Sequence, residues 1–145
     1  MFEFGGDMNV FSKLAEEVNK AAVRAMNKGI MSAIADAKKE CPVDTGRLRA
    51  SITGAVSGGS TKEAKFKGEV VSSIKPPNSS INEITAVVGT DVVYGARVEY
   101  GYHGKDKLGR SINQRGRPFL MPAIKQANKS LGGFLKIEMD NIKLK

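Results

Sequence analysis

Residues 9–39 read NVFSKLAEEVNKAAVRAMNKGIMSAIADAKK, and the spacing of their apolar side chains decides the fold. Phe11, Leu14, Val18, Ala21 and Ala25 recur every three or four positions, which lays them along one face of an α-helix. Ile30, Ala33, Ile34 and Ala37 continue the stripe, and Lys13, Glu16, Glu17, Lys20, Arg24 and Lys28 lie opposite it. Glu16 precedes Lys20 by one turn, a supportive order of charges. A helix of this length spans about 45 Å. That exceeds what one small sheet needs, so part of it is expected to serve a neighbouring subunit. Gly29 is the candidate point for a kink or break, at a propensity cost of about 1 kcal/mol.

Pro42 ends this helix, because the residue before a proline is pushed out of the α region. Asp44 or Thr45 then offers a side-chain oxygen to cap a short turn from Gly46 to Ser51, and Gly46 relieves the backbone there. Arg47 and Arg49 flank Leu48, which sends the leucine inward and the arginines outward. Beyond the corner the pattern turns to strands. Ser51–Ser57 alternates loosely, Thr61–Lys67 is polar and lysine-rich and reads as a loop or hairpin tip, and Phe66–Ile74 alternates better. After Pro76-Pro77-Asn78-Ser79, Ile84–Val88 reads as a strand ending at Gly89. Val92–Tyr100 suits either a strand or a short helix. Residues 102–117 follow Gly101 with few apolar side chains, and read as a long, mobile, basic loop. Pro118–Ser130 reads as a second helix with Leu120, Ile124 and Ala127 on one face; Phe119, between Pro118 and Pro122, anchors it to the sheet. Past Gly132-Gly133 the tail either extends this helix or frays.

The expectation is therefore one α+β domain over residues 1–145. A long N-terminal helix (1–40) and a C-terminal helix with its tail (118–145) pack on a small, mostly antiparallel β-sheet from the centre (41–101), with the basic loop at 102–117. The bulk composition agrees: 145 residues with 41% hydrophobic content suffice for a core without a covalent staple. No run of 18 apolar residues is present, so no membrane partner is expected. The stretch from Met1 to Asn9 is acidic and glycine-bearing, unlike a secretory leader. A single cysteine, Cys41, excludes an intramolecular disulfide and suits a reducing cytosol.

The formal charge of +8 is unevenly spread. Residues 1–40 balance six bases against six acids, whereas residues 102–118 set Lys105, Lys107, Arg110, Arg115 and Arg117 against Asp106 alone. Such a field favours polyanions or acidic protein surfaces. Tyr100, Tyr102 and His103 stand near these arginines, a combination able to hold phosphates and stack bases, although no named nucleic-acid motif is present. Catalytic groups are scarce. His103 and Cys41 are the only imidazole and thiol, and a cysteine at a helix end before proline is usually a small buried hydrophobe. The two cannot form a zinc site without carboxylates, and no pair of acids is set up for opposed roles. Neither an enzymatic activity nor a cofactor or metal is expected. Glu99 is expected to pair at the surface with Arg97 or Arg47, worth about 0–1 kcal/mol.

Three segments together resemble a known family: Cys41–Ile52 (CPVDTGRLRASI), Val88–Gly101 (VGTDVVYGARVEYG) and Arg117–Ala123 (RPFLMPA). Their order and spacing are similar to those of the tail-completion, tail-terminator and head–tail joining proteins of long-tailed bacteriophages. The motif positions are Pro42, Asp44, Thr45, Gly46 and Leu48, then Gly89, Tyr94 and Gly101, then Pro118, Phe119 and Pro122. Gly95 stands where that family usually has alanine, and Tyr100 replaces phenylalanine. The resemblance implies a structural virion protein, assembled in the host cytoplasm into a ring, six-fold, at the head-proximal end of the tail. Its implied partners are its own copies, the tail-tube protein, the head connector (stopper or adaptor) and packaged DNA passing through the ring. The contact surface expected for these partners comprises Arg47, Arg49, Arg97, Glu99, Tyr102, His103, Lys105, Lys107, Arg110, Arg115 and Arg117. The rival expectation is a nucleic-acid-binding protein that uses the 102–117 segment directly.

Overall fold

The computed structural model describes residues 8–80 and 83–142. The first helix, α1 (Met8–Glu40), runs without interruption through Gly29. The glycine serves close packing rather than a kink: a Cβ there would come within 3.3 Å of Leu131 Cδ1 on the last helix. That helix, α4 (Leu120–Asp140), also passes through its own glycines, Gly132 and Gly133, and extends ten residues beyond the expected end at Ser130. The final residues of the expected tail, 143–145, and the acidic start, 1–7, lie outside the described residues. The two helices pack antiparallel. Gly29 faces Leu131, and farther along Glu138 bonds to Arg24 at 2.8 Å and to Lys28 at 2.5 Å. Ala21, Ala25, Ala33 and Ala127 are buried along this seam, and such small side chains let the helices approach closely. The first turns of α1 run past the end of α4, leaving Val10 and Phe11 more than half exposed at 52% and 61%.

At its other end α1 stops at the expected corner. A one-and-a-half-turn helix, α2 (Arg47–Ser51), follows, preceded by Gly46 at φ 83°. This is the left-handed region, where glycine carries no Cβ penalty. The capping expectation is met only weakly: Thr45 Oγ1 accepts the Arg47 amide at 3.5 Å, and Asp44 makes no cap. Leu48 is buried, and Arg47 and Arg49 point outward as their spacing requires. Around the corner sits the main core: Ala37 and Cys41 from α1, Leu48 and Ile52, Val92, and Phe119 and Ala123 at the start of α4, with Ile34, Val88, Val98 and Leu120 packed on it. Phe119 is fully buried.

Among the described residues the β component consists of three two-stranded antiparallel ladders. Strand β1 (Thr53–Val56) pairs with β4 (Ala86–Gly89), and this ladder lies against α1. Gly54 permits both close approaches, since a Cβ there would lie 2.6 Å from the Val87 carbonyl oxygen of β4 and 3.2 Å from Ile30 Cγ2 of α1. Strands β2 (Lys62–Phe66) and β3 (Glu69–Ile74) form a hairpin with a bulge between Ala64 and Lys65. The polar stretch expected to be a loop or hairpin tip is thus mostly strand. Its tip is only Lys67-Gly68, both at positive φ (51° and 88°), the two-residue turn that matches strand twist.

The larger correction concerns the expected mobile loop. Residues Gly101–Lys105 form β5 and Ser111–Arg115 form β6, paired in register from Gly101↔Arg115 to Lys105↔Ser111. Between Val92 and this hairpin the ambiguous segment is a helix, α3 (Gly95–Tyr100). The hairpin escapes a hydrophobicity reading because its ladder buries little apolar surface and is held by backbone bonds and its turn. Asp106 Oδ1 accepts the amides of Leu108 and Arg110, each at 2.9 Å, and Oδ2 accepts Arg110 Nε at 2.6 Å. The Asp106 amide donates to Arg110 O at 3.0 Å, which leaves Lys107, Leu108 and Gly109 as a three-residue connection whose last residue is left-handed at φ 76°. These amide bonds, the Arg110 amide foremost, hold the Asp106 carboxyl below the usual carboxylate range.

Candidate functional site

The hairpin is rooted in the core through two glycines. A Cβ on Gly101 would lie 2.6 Å from Gln114 O, and one on Gly116 would lie 2.7 Å from Tyr100 C, so both ends of the ribbon leave the body as bare backbone. The Arg117 amide then donates to Val98 O at 2.7 Å, tying the return strand to α3. Alternation along paired strands sorts the side chains onto two faces. Tyr102, Gly104, Ile112 and Gln114 share one, on which Tyr102 and Ile112 are half-buried. The Arg97 guanidinium stacks over the Tyr102 ring at 4.3 Å from its centre, bracing the ribbon against α3. His103, Lys105, Asn113 and Arg115 occupy the other face and are all exposed.

Glu99 lies directly beneath, and here the structure overturns the expected surface ion pair. Its side chain is buried and its carboxylate is filled by the first turn of α4. Oε2 accepts the amides of Phe119 at 2.8 Å and Leu120 at 3.0 Å, and Oε1 accepts Met121 at 2.9 Å. A helix leaves its first four amides without intrahelical partners. Here three go to Glu99, and the fourth position is Pro122, which has none to offer. The negative charge also meets the positive end of the α4 dipole. Glu99 is therefore a cap supplied from another helix, and no part of a contact surface. Nothing local in sequence marks it: cap and capped turn are 20 to 22 residues apart.

The other expected contact residues divide as sharply. Arg110 is paired with Asp106, Arg97 stacks on Tyr102, and Arg49 Nη2 reaches back to the Cys41 carbonyl at 3.4 Å. Among the described residues, Arg47, Lys105, Lys107, Arg115 and Arg117 have no carboxylate partner, and all are exposed. Cys41 is buried, its thiol donates to Pro42 O at 3.5 Å, and burial pushes its pKa up, away from the thiolate a nucleophile needs. His103 stands exposed on the ribbon. Among the described residues no three His, Cys, Asp or Glu side chains gather as metal ligands, and no helix is long and apolar enough to cross a membrane.

A groove opens between the ribbon's base and the corner. A cleft of about 790 Å³ is lined by Pro42, Val98, Gln114, Arg115, Gly116 and Arg117. A second, of about 310 Å³, is lined by Pro42, Val43, Asp44, Thr45, Gly46, Leu48, Tyr94, Val98 and Arg117. They share Pro42, Val98 and Arg117 as common walls. The three motif segments thus converge on one place. A further link joins two of them: Ser51 Oγ donates to Leu48 O at 2.7 Å and meets Thr90 Oγ1 at 2.5 Å, while that hydroxyl also accepts the Val92 amide at 3.1 Å. Gly95 belongs to the same knot, since a Cβ there would lie 2.9 Å from Thr90 Cγ2 and 3.3 Å from Leu48 Cδ1.

The family model of bacteriophage HK97 gp10, a tail component, matches residues 8–101, from the start of α1 to the first residue of the ribbon. The chain belongs to the HK97-gp10-like family. It is thereby a structural component of a bacteriophage tail. The match takes in the corner and the Gly89–Gly101 segment; the rest of the ribbon and α4 lie beyond it. No curated protein and no solved structure matches the chain.

Proposed function

We propose that this HK97-gp10-like tail component assembles into a closed ring, six-fold, at the head-proximal end of the tail. The ring ends growth of the tail tube and offers the head connector a docking face. Its work is binding; no bond is made or broken. The observation that carries this reading is the ordered basic ribbon. A stiff hairpin that keeps Lys105, Lys107 and Arg115 exposed and unpaired is a pre-organised surface for an acidic partner, and little ordering entropy is lost when it docks. Heterologous contacts that close give a ring, and α1, overhanging α4 with Val10 and Phe11 exposed, supplies an element long enough to reach a neighbour.

Mass measurement on the protein alone and with tails tests the ring. Monomers or weak oligomers alone, and closed rings with tails, are expected. A stable dimer with no larger species in either setting would count against it. Charge reversal of Lys105, Lys107 and Arg115 to glutamate tests the ribbon: heads and tails should fail to join while the subunit stays folded.

One observation favours a second reading, direct contact with DNA. Tyr100 is 76% exposed beside the cationic ribbon, as a stacking residue must be. Binding of the isolated protein to DNA that weakens steeply between about 50 and 200 mM salt would support it.

A further inference from the structure

The ribbon is a two-stranded sheet with an open edge. Among the described residues no third strand pairs with β5 or β6. The bond from the Asp106 amide to Arg110 O makes 106 and 110 a hydrogen-bonded pair, and such pairs alternate with non-bonded ones along an antiparallel ladder. In the register observed, the backbone groups of Ile112 and Gln114 therefore turn toward β5, and those of Ser111, Asn113 and Arg115 turn outward. The outward row stops at Arg115, because the Arg117 amide is already given to Val98 O. The edge of β6 is thus about 17 Å long.

There is room beside it. The cleft of about 790 Å³ takes Gln114, Arg115 and Gly116 as one wall and Pro42 and Val98 as another, and no residue of β5 lines it. Free main-chain donors and acceptors along an accessible edge are what strand addition uses. The side chains select the strand. Neither β5 nor β6 contains an acid. A strand laid along β6 sets alternate side chains beside Ser111, Asn113 and Arg115, on the face that also carries His103 and Lys105, and Lys105 and Arg115 have no carboxylate partner among the described residues. The side chains between them lie beside half-buried Ile112, on the Tyr102 face. A second ribbon does not suit this edge, because it would bring further cations against Lys105 and Arg115, and like charges across a strand pair are destabilising.

We infer that the outer edge of β6 accepts an extended strand of an acidic virion protein, along which acidic and apolar residues alternate. The inference rests on the reading of the ribbon as the head-joining surface and names how its partner is held. Backbone pairing supplies the register, and Lys105 and Arg115 supply the choice of partner.

The full chain is titrated with a short synthetic peptide of alternating glutamate and valine, and separately with a peptide of the same composition in block order. The alternating peptide should bind at least about tenfold more tightly. It should slow amide exchange at Ser111, Asn113 and Arg115, while Ile112 and Gln114, already bonded to β5, stay as they are. Asn113→Pro removes an outward donor and no bond to β5, so it should abolish the peptide's advantage and stop heads from joining tails. Asn113→Ala should do neither, and both variants should keep the exchange protection of Ile112 and Gln114, which reports an intact ribbon. Equal binding of the two peptides, protection at another surface, pairing of two ribbons into a dimer, or Asn113→Pro behaving like Asn113→Ala would overturn strand addition. The ribbon reading would still stand if K105E/K107E/R115E blocks joining. Normal joining by that charge-reversed chain would remove both.

Discussion

The buried knot where α2, α3 and the start of α4 meet contrasts with the ribbon that leaves it. In the knot the buried polar side chains have partners: Ser51 and Thr90 satisfy each other, and Glu99 fills three amides of α4. On the ribbon, a few residues away, Lys105, Lys107 and Arg115 have no carboxylate among the described residues. The two regions differ in what a charge costs. A buried carboxylate is tolerable only when fully hydrogen-bonded, so Glu99 has one solution, set by the fold. An exposed cation costs almost nothing to leave unpaired, so the ribbon's charges are available to a partner.

That contrast breaks first at Glu99. Glu99→Ala leaves the amides of Phe119, Leu120 and Met121 buried or half-buried without an acceptor, and at about 1–3 kcal/mol per orphaned group it should cost at least about 3 kcal/mol in denaturant unfolding. Glu99→Gln sharpens the point, because it keeps one acceptor oxygen and turns an amide group toward other donors; it should fall between the parent and the alanine variant. Parent-like stability of both would mean that the amides find other partners.

Gly46→Val is expected to cost about 1–2 kcal/mol from backbone strain at φ 83°, since the nearest atom to a new Cβ is Phe66 Cε2 at an unstrained 3.7 Å. An unchanged melting temperature would show that the corner relaxes. Gly133→Ala goes the other way. The glycine sits inside α4 with nothing within 4 Å of a Cβ, so alanine should stabilise by about 1 kcal/mol, read as a higher denaturant midpoint.

The ion pair between the helices adds a pH signature. Lys28 first, then Arg24, hold the Glu138 carboxyl below its ordinary value. A carboxylate with a depressed folded-state pKa contributes stability that is fully present above its unfolded value and is lost as pH falls through the folded value. The acid side of the stability profile should therefore be shallower in Glu138→Gln than in the parent; identical slopes would remove Glu138 as a contributor. The smallest effect is expected on the ribbon. Reversing Lys105, Lys107 and Arg115 to glutamate should change the stability of the isolated subunit by no more than about 0.5 kcal/mol. A large loss there would mean that the ribbon's charges are structural and would dissolve the contrast.

Much of this was legible in the residues, and the failures have physical causes. The helices and the corner follow from Phe11 to Ala37, Pro42 and Gly46, whose periodicity and backbone preferences act locally. The hairpin at 101–115 is hard to see in the sequence because apolar alternation is the usual strand signal and this ribbon covers little core. The available clue was Asp106 three residues before Gly109, a turn signature that needs no hydrophobicity. Gly29 escapes a local reading for a similar reason: propensity sees a weak helix former, while in the packed molecule the missing Cβ leaves room for Leu131.

By itself the sequence determined the α+β class, the two helices with their apolar faces, the turn at Pro42 and Gly46 and the surplus of positive charge late in the chain. Each depends on spacing or on one residue's backbone freedom, which are properties of short stretches. Only the tertiary structure decided that Glu99 is a buried cap for α4, that Glu138 bridges to Arg24 and Lys28, and that Pro42, Val98 and Arg117 wall one groove. These depend on which distant residues come within 3 Å of each other or share a wall. Charge and hydropathy along the chain carry no record of that until packing brings the segments together.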